Sequence, residues 1–316
     1  MTGEPQPQPG PAGAELQLNE HQAHDLPVDA HVHTNLSPDS TVPIDVYAVI
    51  ALELGIAEFA VTDHVDFDPQ APAYRYSTFD ERERTIRSAA ERWAPLGLTI
   101  RFGAELTYHT DWDADVREHL ARHRYDFTIG SVHDWPSSPY IPSRVKTFAA
   151  GRTIDELTSP FIEQVTAAAR TGLFDTIGHL DVFKRYLFPY LTPEQLVDRP
   201  DLLEPVLLAL VESGTALEVN ASGLRHGPHE TYPAAGTVAR FRELGGRDVT
   251  AGSDAHRPGW FAHGLDSAYR IAAEAGFDEL TIRRAPGAAR VPIPLPGRFH
   301  AAAAVAAIPA GATGTR

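Results

Sequence analysis

The sequence predicts an α/β protein built on a parallel barrel of seven strands. Short apolar runs that end in polar residues alternate with longer helical patterns, the rhythm of repeated strand and helix units. Seven such runs can be counted. Parallel strands need crossover connections, which the intervening helices supply, and a closed sheet leaves no exposed edge.

The runs are Val28 to His33, Glu58 to His64, Thr99 to Glu105, Phe127 to His133, Thr176 to Asp181, Ala216 to Asn220 and Val249 to Asp254. Pro43 opens a first helix that stops at Gly55, and Thr78 with Asp80 precedes the Glu/Arg-rich stretch of the next. Later helices are expected over Ile154 to Arg170, Pro193 to Ser213, Ala234 to Leu244 and Asp266 to Ala275. Residues 1–26 are rich in Pro, Gly and Gln and carry no apolar periodicity, so they read as a flexible tail. Residues 292–316 read the same way, which leaves 27–291 as the ordered domain. His21, His24 and His300 fall in or near these tails and are given no catalytic role.

With 43% hydrophobic and 22% charged residues, the 316-residue chain has the balance of a globular protein. Its 27 basic and 42 acidic side chains give a formal charge of −15, which repels nucleic-acid backbones and anionic membranes at long range. An anionic substrate would need a local cationic site, and bound divalent ions provide one. Cysteine is absent, which excludes disulfides, thiolate ligands and a cysteine nucleophile. No signal-peptide pattern or membrane-length apolar run is seen, so a cytoplasmic location is the default expectation.

The informative feature is where the polar residues fall. His31 and His33, Asp63 and His64, Glu105, His133, His179 and Asp181, Glu218 and Asn220, and Asp254 with His256 sit at or just after the C-terminal ends of the expected strands. That end of a barrel carries its chemistry. Side chains alternate along a strand, so His31 and His33 share one face. Each short motif alone has an ordinary structural explanation, but no structural role requires six of the fifteen histidines to end consecutive strands. Imidazoles and carboxylates without sulfur suit Zn²⁺, Mn²⁺ or Fe²⁺ better than Ca²⁺ or Mg²⁺. The set is too large for one tetrahedral ion and fits two or three, with a carboxylate bridging a pair.

The motifs His-Val-His-Thr, Val-Thr-Asp-His, Gly-Ala-Glu, Gly-Ser-Val-His, Gly-His-Leu-Asp, Glu-Val-Asn and Gly-Ser-Asp-Ala-His occur in this order. In this the chain resembles the polymerase and histidinol phosphatase (PHP) family, from His31 to beyond His256. The resemblance implies a distorted seven-stranded, TIM-like barrel and a trinuclear site. By motif position His31, His33, Glu105 and Asp254 would hold one ion. Glu105 would bridge to a second, completed by His133 and His179, while Asp39, His64 and His256 would hold the third. Asp39 stands where several family members carry histidine. Glu105, Asp254 and His256 are the residues expected to act directly in catalysis.

Gly-His-Leu-Asp followed by Val-Phe-Lys-Arg-Tyr, and Glu-Val-Asn followed by Ala-Ser-Gly-Leu-Arg, resemble the histidinol-phosphatase branch. They make Arg225, Lys184 and Arg185 candidates for phosphate contacts, since arginine can donate two parallel hydrogen bonds to phosphate oxygens. After His133 the chain reads Asp-Trp-Pro-Ser-Ser-Pro-Tyr, a departure from the aromatic and glycine pattern of many such phosphatases. The expected activity is hydrolysis of a small phosphomonoester, most specifically L-histidinol phosphate. The alternatives are a PHP-type exonuclease, a phosphatase of another small metabolite, and a metal-binding domain without turnover. Oligomeric state is not legible.

Overall fold

The computed structural model describes residues 20–300 except 134, 136 and 198. Its barrel strands are β1 (Val28–Val32), β2 (Glu58–Val61), β3 (His64–Val65), β4 (Thr99–Thr107), β5 (Phe127–Ser131), β6 (Thr176–Ile177), β7 (Ala216–Asn220) and β8 (Val249–Gly252). All pair in parallel in the order β1-β2-β4-β5-β6-β7-β8, with β3 also on β4. The ring closes where the chain leaving β1 meets the chain leaving β8: His33 N donates to Ala255 O at 2.9 Å and Asp254 N to His31 O at 2.8 Å. The expected seven-stranded barrel is therefore present.

Two strands depart from their expected lengths for local reasons. The second is interrupted at Thr62 and Asp63, splitting it into β2 and β3. Thr62 Oγ1 accepts from Val32 N, and Asp63 takes both the backbone N–H and the hydroxyl of Thr34, at 2.6 and 2.7 Å. Such side-chain bonds compete with the sheet ladder. The run from Thr176 stops at Ile177 because His179 adopts a left-handed backbone with φ 24°.

The helices are α1 (Ile44–Leu54), α2 (Phe79–Trp93), α3 (Asp113–Arg122), α4 (Val145–Ala149), α5 (Ile154–Thr171), α6 (Phe183–Leu187), α7 (Pro193–Leu196), α8 (Glu204–Ser213), α9 (Ala235–Glu243) and α10 (Leu265–Glu274). Gly55 ends α1 in the left-handed conformation at φ 70°, and Thr153 with Glu156 closes a capping box on α5. The helix expected over Pro193 to Ser213 is instead α7, a 3-10 turn at Pro200–Leu202 and α8. Pro200 and Pro205 lack the N–H a continuous helix needs. Helix α3 escaped the apolar-pattern reading because Val116 is the one buried residue in its ten.

Both expected tail boundaries, 26 and 292, move outward. Gln22 Nε2 donates to Phe261 O at 2.8 Å, and Ala23 and Leu26 are buried in the core. At the other end β9 (Glu279–Arg283) and β10 (Arg290–Pro294) form an antiparallel hairpin, and Ile293, Leu295 and Phe299 are buried. Residues 1–19 and 301–316 of those tails lie outside the described residues. Apolar side chains from the strands and the inner helix faces, among them Phe59, Phe102, Phe127, Phe161 and Phe241, fill one continuous core. Among the described residues no helix is long and apolar enough to cross a membrane.

Candidate metal centre

The barrel brings all nine expected ligands to its C-terminal mouth. His31 Nε2 and His33 Nε2 lie 3.0 Å apart. Glu105 Oε2 stands 3.5 and 3.4 Å from those two nitrogens, and Asp254 Oδ1 stands 3.8 and 3.5 Å from them. Ligand atoms around a tetrahedral ion with bonds of about 2.0–2.2 Å are separated by roughly 3.3–3.6 Å, so this quartet has coordination dimensions. The other oxygen, Glu105 Oε1, lies 3.2 Å from His133 Nε2 and 2.8 Å from His179 Nε2. Nearer solvent, Asp39 Oδ2 stands 3.2 Å from His64 Nε2 and 3.0 Å from His256 Nε2. His33 also belongs to this outer group, and His64 serves both sides, since its Nδ1 lies 2.9 Å from Glu105 Oε2. Two ligands are thus shared more widely than their motif positions implied.

A carboxylate that takes no metal-facing position fixes the inner imidazoles. Glu218 Oε1 lies 2.6 Å from His31 Nδ1, while its Oε2 accepts from the backbone N–H of His179 at 2.8 Å and from Asn220 Nδ2 at 3.0 Å. With a cation bound, the Nδ1 proton of His31 would be committed to Glu218 and its Nε2 lone pair would face the ion beside another imidazole nitrogen and two carboxylate oxygens. Such a carboxylate partner is what a metal-ligating histidine normally has behind it. The sequence did place Glu218 and Asn220 on one strand face at a strand end, but nothing in the motif distinguished a ligand from the residue that orients one.

The electrostatics call for a cation. Burial opposes a charged imidazole at His31, yet Glu218, Glu105 and Asp254 outweigh it and hold the residue well above the ordinary histidine range. At His33 burial and the neighbouring His256 and His64 push the other way, well below that range. Burial would raise Glu105, but His64, His133 and His31 hold it far below the usual carboxylate range. Asp254 is held down similarly by His31, His256 and His33 against the cost of burial. Protons on every imidazole would repel one another, because the His33 ring is 4.1 Å from that of His256 and 4.3 Å from that of His64. Divalent ions satisfy carboxylates and neutral imidazoles together, and the nitrogen and oxygen donor set fits them. Glu105 Oε2, buried and without a hydrogen bond, is consistent with that role.

The PHP domain model matches residues 29–222. The chain belongs to the PHP family. A protein from Deinococcus radiodurans named "Probable histidinol-phosphatase" is 30% identical over 258 residues, covering 81% of this chain and 96% of that one. One of the same name from Thermotoga maritima is 27% identical over 257 residues, covering 81% and 95%. The crystal structure of the Lactococcus lactis histidinol phosphate phosphatase, complexed with Zn, L-histidinol and phosphate, superposes with a TM-score of 0.72. It is 22% identical and covers 82% of this chain and 97% of that one, a likeness of fold. The PHP match ends before Asp254 and His256, which the closure of the barrel carries to the same mouth.

The three cations expected to meet phosphate in this PHP protein have different settings. Lys184 is buried, with Nζ 2.7 Å from Asp181 and 2.6 Å from Glu230. Withdrawing it would leave buried charge unpaired, at a cost of about 3–5 kcal/mol. Lys184 is therefore a clamp between two loops, its ammonium already engaged by their carboxylates. Arg185 is exposed on the same short helix, α6. Arg225 is mostly enclosed: Nη2 donates to the carbonyls of Ser253 and Asp254 at 2.9 and 3.0 Å, whereas Nε and Nη1 have no hydrogen-bond partner among the described residues. Of the departing segment after His133, Asp134 and Pro136 lie outside the described residues.

Backbone geometry at the site leaves little slack. His179 and Asp254 hold positive φ, 24° and 53°, conformations that cost about 1–3 kcal/mol each for residues with a Cβ. A Cβ at Gly252 would collide with Cβ of His31 and lie 2.7 Å from Glu218 Oε1. Gly252→Ala is expected to push His31 off Glu218, lowering metal affinity at least about tenfold, the scale of a lost outer partner. Metal titration checks this, and an alanine variant with parental affinity would refute the requirement for glycine.

Proposed function

We propose that this protein is a metal-dependent phosphomonoesterase that converts L-histidinol phosphate and water to L-histidinol and phosphate. The observation that carries the reading is the convergence of imidazole nitrogens and carboxylate oxygens, braced from behind by Glu218, on one side of a buried glutamate and then on the other. The names of the relatives, and the ligands held by the Lactococcus structure, support the substrate.

His31, His33, Glu105 and Asp254 would hold one ion, Glu105 with His133 and His179 a second, and Asp39, His64 and His256 a third. Two or three ions of Zn, Mn or Fe there supply positive charge for the phosphate and activate water. The chain's own residues do the rest. Arg225, whose Nε and Nη1 have no hydrogen-bond partner among the described residues, would donate to a phosphate oxygen. The proton of the departing alcohol would come by way of His256 or water, with ionised Asp254 Oδ1 standing 3.4 Å from His256 Nδ1 at the partly open side of the centre.

Phosphate release from L-histidinol phosphate by purified protein is expected to vanish after chelation and return with Zn²⁺ or Mn²⁺. Oligonucleotides should release nothing. Undiminished release from the metal-stripped protein would end the metal-dependent reading, and preference for oligonucleotide ends would overturn the substrate class.

A further inference from the structure

The proposed ligand His133 reaches a carboxylate through an intervening hydroxyl. Its Nδ1 lies 3.2 Å from Thr107 Oγ1, and that hydroxyl donates to Asp66 Oδ2 at 3.2 Å. The strand pattern creates this arrangement. Glu105 and Thr107 lie two apart on β4 and so share a face, one meeting the Nε2 side of the His133 ring and the other its Nδ1 side. Asp66 is itself fixed, because its Oδ1 accepts from the backbone N–H of Asp68 at 3.0 Å.

The direction of these bonds follows from what each group can do. A carboxylate only accepts, so the single Thr107 hydroxyl hydrogen is committed to Asp66. The hydroxyl oxygen can then only accept from His133, which places the imidazole proton on Nδ1. Nε2 is left as a lone pair facing Glu105 Oε1 at 3.2 Å, two acceptors that need a cation between them.

We propose that Asp66 and Thr107 are positioning residues that set the tautomer and orientation of His133 and thereby the affinity of the second ion position. The inference rests on the metal-centre reading above and deepens it. It assigns to the Asp66–Thr107 pair the task that Glu218 performs for His31, with a hydroxyl inserted because Asp66 stands farther out, in the wall of a cavity of about 700 Å³ between α2 and α3. Thr107 itself is buried, while Asp66 and His133 on either side of it are partly exposed.

Two measurements on the full chain test this separately from the metal reading. In metal-free protein, the ¹⁵N imidazole shifts of His133 should report the Nδ1–H tautomer in the parent and in Thr107→Ser, and a mixture in Thr107→Val. In zinc titrations against a competing chelator, Thr107→Val should weaken one ion by about 10–100-fold, leave the others unchanged and regain turnover at saturating zinc. Thr107→Ser should bind like the parent. An Nε2–H tautomer in the parent would overturn the brace, as would equal zinc affinity in the valine variant or equal losses in valine and serine. If the parent takes up no zinc while His133 keeps the Nδ1–H form, the metal reading fails and the brace stands as a tautomer lock only.

Discussion

Glu105→Gln is expected to remove nearly all turnover from a protein that still folds. The side chain is buried, and its two oxygens lie within 3.5 Å of five imidazole nitrogens. Glutamine keeps the shape but replaces an acceptor with an N–H₂ that faces nitrogen lone pairs, and it removes the negative charge shared by two proposed ion positions. The loss should fall on kcat, by about 10³-fold or more, since one preorganised electrostatic partner alone is typically worth about 10²–10³. KM should move less than kcat, because the proposed phosphate contact of Arg225 is left in place. Metal analysis belongs beside the kinetics: ion content is expected to drop by at least one. Activity within a few-fold of the parent at equal metal content would defeat the bridging role of Glu105.

Most of this centre was legible because barrel architecture turns a one-dimensional regularity into a three-dimensional cluster. Residues ending successive parallel strands must converge, so His31, Glu105, His133, His179 and Asp254 could be gathered without coordinates. What could not be read was which polar residues face inward and which stand behind. Glu218 and Lys184 show the two sides of this. Glu218 sits in a motif as conspicuous as any ligand, yet its reach across β8 to Nδ1 of His31 makes it an orienting partner. Lys184 is cationic and adjoins the site in sequence, but two carboxylates from separate loops claim it. Pairings across loops depend on packing, which periodicity does not encode. The C-terminal hairpin was missed for a related reason: Pro292, Pro294 and Pro296 interrupt the apolar alternation, though Ile293 and Leu295 between them are buried. An edge strand tolerates those prolines.

Arg225→Met should separate phosphate binding from metal binding. Burial lowers this guanidinium from its usual range while Asp254 and Asp29 pull it back. Its plane stacks on Trp260 at 4.8 Å, and one amino group is anchored on two carbonyls. That leaves Nε and Nη1, both buried, without a hydrogen-bond partner among the described residues, a costly state unless a ligand supplies an acceptor. Truncating such a contact costs about 2–5 kcal/mol, so kcat/KM should fall about 30- to 4,000-fold. Inorganic phosphate should inhibit correspondingly less, and ion content should stay at the parental value. Arg225→Lys should recover only part of the loss, because one ammonium cannot both hold the carbonyls of Ser253 and Asp254 and meet a phosphate oxygen as the planar guanidinium can. If the methionine variant keeps kcat/KM within about threefold of the parent, Arg225 serves only to hold the carbonyls of Ser253 and Asp254. The phosphate would then be bound by the ions and by Arg185 alone. Inhibition by phosphate would in that case weaken in Arg185→Met and not in Arg225→Met, so the pair of variants assigns the contact to one arginine or the other.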